Sequence, residues 1–284
     1  MLAIVGTLPD KDIPVVEGEV AFQDGNVRIC GYRFPVLRGT AALLAASISA
    51  GRVLGLERPY GFLVGDIGVG HGSRRLYEHL TKVLSGSCFN AITFHYLLPD
   101  VDWHNRVLFS VEEMKFRPLL IADAGFMYAA KMSGEANAYD LFTPDAGEMA
   151  FLADEEAPHP FYTRGFILHE ENQVPDLIKR AYTYDNASRL LLVKGQHDRI
   201  ASREGVLSLI SDPMVENLEP IGGTGDTLTG IVSALAVSGI SLEKAAVIAS
   251  KANRLAGLLA KPTPSTQVSE IIAKIPEALE NALA

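Results

Sequence analysis

Short, unbroken apolar runs place the strongest constraint on this chain. Leu119-Leu120-Ile121 and Leu190-Leu191-Leu192-Val193 contain no polar residue at alternate positions. A strand built from either run therefore has both faces buried, as in a parallel sheet covered by helices on each side. Around these runs, apolar residues recur at helical spacing. The pattern predicts helices over 40–54, 73–84, 146–154, 174–184, 227–238 and 242–259, with Gly239 and Pro262 closing the last two. It predicts strands over 3–6, 61–64, 91–94, 119–122, 138–142, 190–193, 199–201 and 206–210. Segments 19–22 and 27–30 flank Gln23-Asp24-Gly25-Asn26, a hairpin signal. The expected architecture is one three-layer α/β/α domain over 1–284 with a mostly parallel central sheet. Within it, 1–38 is a hairpin-bearing, lid-like extension, 39–262 the core and 263–284 a C-terminal helix.

Composition narrows the function classes. At 284 residues and 48% hydrophobic content, the chain can bury a large core, and disorder is excluded. Its net charge is −9, and Lys and Arg occur in nothing longer than pairs such as Arg74-Arg75, so a nucleic-acid partner is not expected. No uncharged stretch, the one from Thr227 to Leu242 included, is long enough to span a bilayer. Pro9, Asp10, Lys11 and Asp12 interrupt any leader-like start, so a cytoplasmic protein with no membrane partner is expected. Cys30 and Cys88 cannot build a disulfide framework and read as small core residues. His95 and His104, with Asp100 and Asp102, read as a surface loop, because a metal site would need a third soft ligand or helical spacing.

Ligands of parallel sheets bind outside the carboxyl ends of the strands, so the loops there carry the chemistry. Gly222-Gly223-Thr224-Gly225-Asp226 runs into a helix. Its glycines can turn backbone N–H groups toward a phosphate, with Asp226 beside it to take a hydroxyl proton. A plain helix cap explains the same residues equally well. Lys194, at the end of a buried strand, can reach a phosphate or simply leave the core for solvent. Thr143-Pro144-Asp145 can start a helix or touch a substrate. The loop from Gly65 to Gly72 lacks dinucleotide spacing, and the 222–226 segment lacks a Walker lysine. No Gly-x-Ser-x-Gly elbow supports a hydrolase.

In this order, TPDAGEM (143–149), LLLVKGQHDRIAS (190–202) and GGTGDTLTGIVSALAVSG (222–239) resemble the ribokinase-like superfamily. Within it they are most similar to the ADP/ATP-dependent NAD(P)H-hydrate dehydratases. Weaker similarities are Gly39-Thr40-Ala41 to the family's substrate loop, Asp66–Gly70 to its GPGLG loop, and Ala122-Asp123-Ala124-Gly125 to its Asp-Ala-Asp-Ala-Leu segment. The resemblance implies a ribokinase-like fold, ATP or ADP with Mg²⁺, a small-molecule substrate and a possible homo-oligomer. It implies that Lys194, Gly195, Gln196, His197, Asp198, Gly223, Thr224 and Gly225 bind the nucleotide, that Asp226 is the catalytic acid/base, and that Gly39, Ala41, Gly68, Gly70 and Asp145 face substrate. Asp145 stands where the family has histidine, Asp66 replaces a glycine and Gly125 an aspartate, all on the substrate side.

Three functions compete on this reading. The first is phosphorylation of a hydroxyl followed by elimination, as in the dehydratases. The second is a sugar or alcohol kinase that keeps the phosphoryl group on its product. The third is a nucleotide-sensing module, which would have no need of Asp226.

Overall fold

A computed structural model describes residues 1–156 and 173–284. The chain opens with β1 (Leu2–Leu8) and four short strands, β2 (Val16–Glu19), β3 (Ala21–Gln23), β4 (Asn26–Ile29) and β5 (Tyr32–Pro35). Helix α1 (Thr40–Val53) leads to β6 (Tyr60–Gly65), and α2 (His71–Val83) to β7 (Ala91–His95). Alternation continues through α3 (Val101–Glu112), β8 (Leu119–Ala122), α4 (Ala124–Met132), β9 (Leu141–Phe142), α5 (Ala146–Ala153), α6 (Val174–Thr183) and β10 (Leu190–Val193). The pair β11 (Asp198–Ser202) and β12 (Gly205–Ile210) precedes α7 (Thr224–Ala236), α8 (Leu242–Ala260), α9 (Val268–Ile272) and α10 (Ile275–Leu283).

Nine strands form one sheet in the order β12-β11-β10-β9-β8-β7-β1-β6-β2. The six from β10 to β6 in that order are parallel, flanked by antiparallel strands at both ends. Strand β1 shows how the apolar runs serve two faces. Leu2 and Ile4 join the core beneath α1, α7, α8, α9 and α10, whereas Ala3 and Val5 join the core beneath α2 to α6. Stacked Phe94 and Phe126, 4.1 Å apart, lie in the second core.

The expected hairpin is present as β3–β4. Asp24 and Gly25 both take positive φ, which suits a two-residue turn. Strand β5 extends it to a separate three-stranded sheet, while β2 joins the edge of the main sheet.

Several local expectations are corrected. The stretch read as a loop around His104 is helix α3, capped by Asp100, and both His95 and His104 are fully buried. Helix α4 was not anticipated; Asp123 caps it. The strand expected over 138–142 is a 3₁₀ turn over Ala136–Ala138 followed by only two strand residues. Cys30 and Cys88 are exposed rather than core, because Cys30 lies in a turn with positive φ and Cys88 in an exposed connection after α2. Residues 263–284 form two helices, not one. Among the described residues no helix is long and apolar enough to cross a membrane.

Candidate active site

Strand order reverses at β1. Its following helix α1 leads to β6 on one side, and α2 then leads to β7 on the other. Such a reversal opens a crevice at the carboxyl ends. Close packing of α1 on α7 carries the amino end of α1 into it. Gly230 makes this approach possible: a Cβ there would lie 2.3 Å from the Leu43 carbonyl oxygen. As a result the Gly39 N–H donates to Asp226 Oδ2 at 2.6 Å, although the two residues are 187 apart in sequence.

Asp226 sits in the first turn of α7, where the helix dipole favours an anion. Its other oxygen, Oδ1, is 3.0 Å from His95 Nε2. Burial alone would raise the Asp226 pKa. The His95 hydrogen bond, the Lys194 charge and the Gly39 N–H outweigh burial and hold it below the ordinary value. The carboxylate is thus ionised and fixed.

A second carboxylate lies beside it. Asp123, at the end of β8, receives Lys194 Nζ at 2.9 Å on both oxygens and the Thr229 hydroxyl at 2.6 Å. Thr229 in turn meets Thr143 Oγ1 at 2.9 Å. Burial disfavours a charged Lys194, but Asp123 and then Glu148 push its pKa up, so the ammonium persists. Ligand atoms of His95, Asp123 and Asp226 fall within 4.8 Å of one another, a spacing compatible with a metal. Here the Lys194 ammonium already pairs with Asp123, and His95 Nε2 lies against Asp226. Directly after His95 and Asp123 come Tyr96 and Ala124, both with φ of 51°, a left-handed backbone that non-glycine residues adopt mainly where surrounding structure imposes it.

In front of these groups opens a cleft of about 750 Å³. Its walls include Lys194, Gly195, Gln196, Asp198, Gly223, Thr224, Gly225 and Asp226. Gly223, with φ of 100°, caps α7, and a Cβ there would come within 3.1 Å of Arg38 Cα. The loop after β10 is clamped from α8: Arg254 donates to Asp198 at 2.9 Å and to the carbonyls of Gly195 and Gln196 at 3.0 and 2.8 Å. Asp198 therefore shapes the loop through Arg254. His197 is not among the cleft residues, and its Nδ1 contacts Ser211 Oγ.

The expected substrate-side residues are less united. Gly39 touches Asp226 and Asp145 lines the cleft, but Ala41 is buried in α1. Gly68 and Gly70 do not line the cleft, and Asp66 Oδ1 collects their N–H groups together with that of Val69. Its Oδ2 accepts from Ser73 N and Oγ. Asp66 thereby occupies the anion-binding turn that the loop would otherwise offer. Asp145 caps α5 in a reciprocal box with Glu148, which makes aspartate a structurally sound residue at this position.

Residues 98–277 match the protein family described as NAD(P)H-hydrate dehydratase, of carbohydrate-kinase type. The chain belongs to that family. An uncharacterized protein of Methanocaldococcus jannaschii is 42% identical over 77% of this chain and 90% of its own length. The bifunctional NAD(P)H-hydrate repair enzyme of Hyperthermus butylicus is 36% identical over 37% of this chain and 20% of its own length. The ADP/ATP-dependent NAD(P)H-hydrate dehydratase of Bacillus subtilis, co-crystallised with ATP and Mg²⁺, has a TM-score of 0.61 at 15% identity and covers 99% of this chain and 92% of its own. The fold is ribokinase-like.

Within this dehydratase-family fold, sequence reading missed His95, Arg254 and Glu148 as parts of the site, and placed Asp123 in a family segment without a role. His95 follows a predicted buried strand directly, and that position at a carboxyl end was the available signal. Arg254 lies inside an ordinary helical pattern and carried none.

Proposed function

We propose that this chain is an ATP- or ADP-dependent NAD(P)H-hydrate dehydratase with Asp226 as its acid/base. The observation that carries this reading is the ionised, doubly anchored Asp226 at the amino end of α7, in the wall of the same cleft as the 194–198 and 223–225 loops. Lys194, Gly195, Gln196, Gly223, Thr224 and Gly225 hold the nucleotide phosphates, with His197 and Asp198 shaping the loop. Gly39, Ala41, Gly68, Gly70 and Asp145 belong to the substrate side, the glycines of 68–70 acting through the position of their loop.

Asp226 takes the substrate hydroxyl proton as the hydroxyl oxygen bonds to the terminal phosphorus and the nucleotide's bridging P–O bond breaks. The C–O bond then breaks with its electron pair leaving on phosphate. The neighbouring carbon loses a proton and the ring double bond is restored. Tyr96, half exposed beside His95, offers an aromatic face to a ring-bearing substrate. Mg²⁺, when bound, screens the phosphate charge. Glu148 and Asp145 would hold it: burial and the Asp145 charge push the Glu148 pKa up to about 8, and a nearby cation would favour its ionised form.

Small-molecule kinases share this fold and the first step. Asp145 is the residue that favours such a reading, but its engagement with Glu148 N as a helix cap weakens the case. Cytoplasmic location and self-association complete the proposal; exposed Val206, Leu207 and Leu209 on the edge strand β12 support the latter, which light scattering tests.

The deciding experiment follows recovery of NADH absorbance from hydrated NADH with Mg²⁺ and ATP or ADP. Nucleotide-dependent recovery that falls roughly 10²- to 10⁴-fold in Asp226→Asn is expected. Full recovery by the variant overturns the assignment of Asp226, and a stable phosphorylated product favours the kinase.

A further inference from the structure

His95 is a fully buried imidazole with both ring nitrogens engaged. Nδ1 lies 3.0 Å from Thr40 Oγ1, and Nε2 lies 3.0 Å from Asp226 Oδ1. Thr40 opens α1 directly after Gly39, whose N–H meets Asp226 Oδ2. The end of β7 and the start of α1 therefore grip one carboxylate from two sides. If the Thr40 hydroxyl donates to Nδ1, the proton sits on Nε2 and donates to Asp226, so a neutral ring satisfies every contact.

We propose that His95 is the positioning residue of the active site: through the Thr40–His95–Asp226 chain it sets the orientation and the proton affinity of the carboxylate that receives the substrate proton. The role rests on the reading of Asp226 as acid/base. His95 does not touch substrate, being sealed beneath Asp226. It remains a donor throughout: the proton leaving the hydroxyl forms an O–H bond on Asp226, no proton moves to the ring, and Asp226 later releases its proton to water.

The groups facing His95 bear this out from every side. From α7 comes Asp226, from the end of β8 Asp123 with Oδ2 at 3.9 Å, and from α1 Thr40. Tyr96 packs edge-on at 4.2 Å, and Lys194 lies behind Asp123, bound to it. The ammonium is bound to Asp123, so among the described residues the imidazole is the side-chain donor in contact with Asp226. Among the described residues, a carboxylate freed from that contact keeps the Gly39 N–H alone and can rotate.

The test compares wild type with His95→Phe, which keeps the ring and removes both nitrogens, and His95→Gln, which restores an amide donor. Carbon-13 NMR titration of the Asp226 carboxylate in the ligand-free protein is read alongside the pH dependence of kcat and the KM for nucleotide. In His95→Phe the carboxylate is expected to titrate about one pH unit higher, matched by the acid limb of kcat. We expect kcat to fall about 10²-fold with KM for nucleotide unchanged, and His95→Gln to recover part of both effects. Thr40→Val, which leaves His95 in place, is expected to move the titration in the same direction by less, and it decides the matter if His95→Phe does not fold. An Asp226 titration unmoved by these variants overturns the proposal. That readout stands even if hydrated NADH proves not to be the substrate, in which case wild type itself shows no recovery while the titration shift persists.

Discussion

His104 shows what a single buried base does to stability. It lies on α3, where Tyr139 OH, after the 3₁₀ turn, and Ser133 Oγ, at the end of α4, are 2.8 and 3.0 Å from its nitrogens. Burial lowers its pKa from 6.5 to about 4. The folded protein therefore keeps the ring neutral over a range in which the unfolded chain binds a proton. Stability is present in full above pH 6.5 and is lost as pH falls toward 4, by about 3 kcal/mol for this one group. Urea unfolding of wild type and His104→Gln at pH 7 and at pH 4.5 checks this: the variant should lose less on acidification. Glu148 behaves in the opposite sense. With a folded-state pKa near 8, it binds a proton that the unfolded chain has released, so its contribution falls as pH rises from 4.5 toward 8. A cation in the cleft would offset that loss.

Between elements, the decisive contact is α1 against α7. Gly230 lies at the contact, and the residues that frame it, Leu43 and Ala46, belong to a helix buried along most of its length. A methyl group there would overlap backbone, which cannot move aside as a side chain can. Gly230→Ala is expected to destabilise the protein by about 1–3 kcal/mol. It should also weaken Asp226 function, because the Gly39 N–H rides on the displaced helix. Calorimetric melting together with NADH recovery reads the two effects; an unchanged melting temperature would contradict the packing argument. Much at this scale was open to sequence reading. Asp24-Gly25 announces its hairpin through turn chemistry, and Leu190–Val193 announces a two-faced strand through composition. Helices α3 and α4 were harder because polar caps, Asp100 and Asp123, precede patterns broken by His, Asn, Gly and Tyr. Asp123 moreover serves two ends at once, capping α4 through Ala124 N and pairing with Lys194.

Across the whole molecule, α8 reaches over the sheet to hold the loop after β10. Arg254 and Asp198 form a buried ion pair whose guanidinium also takes the Ser211 carbonyl at 3.0 Å. Removing one partner strands the other charge. Arg254→Met should cost roughly 3–5 kcal/mol and weaken ATP binding by releasing the Gly195 and Gln196 carbonyls. Chemical unfolding and titration calorimetry measure the two losses, and preserved ATP affinity in a folded variant would separate the clamp from the nucleotide site. The sequence by itself determined what is local: strand and helix periods, turn and cap residues, the absence of a basic stripe, and the GGTGD segment with its acid. Only the tertiary structure decided that His95, 131 residues from Asp226, would become its partner, and that Asp66 would fill its own loop's anion turn. Periodicity and capping act over a few residues, so they leave a mark on the chain. The meeting of strand ends depends instead on the order in which strands pair and on how closely two helices can approach, and neither is written in any one segment.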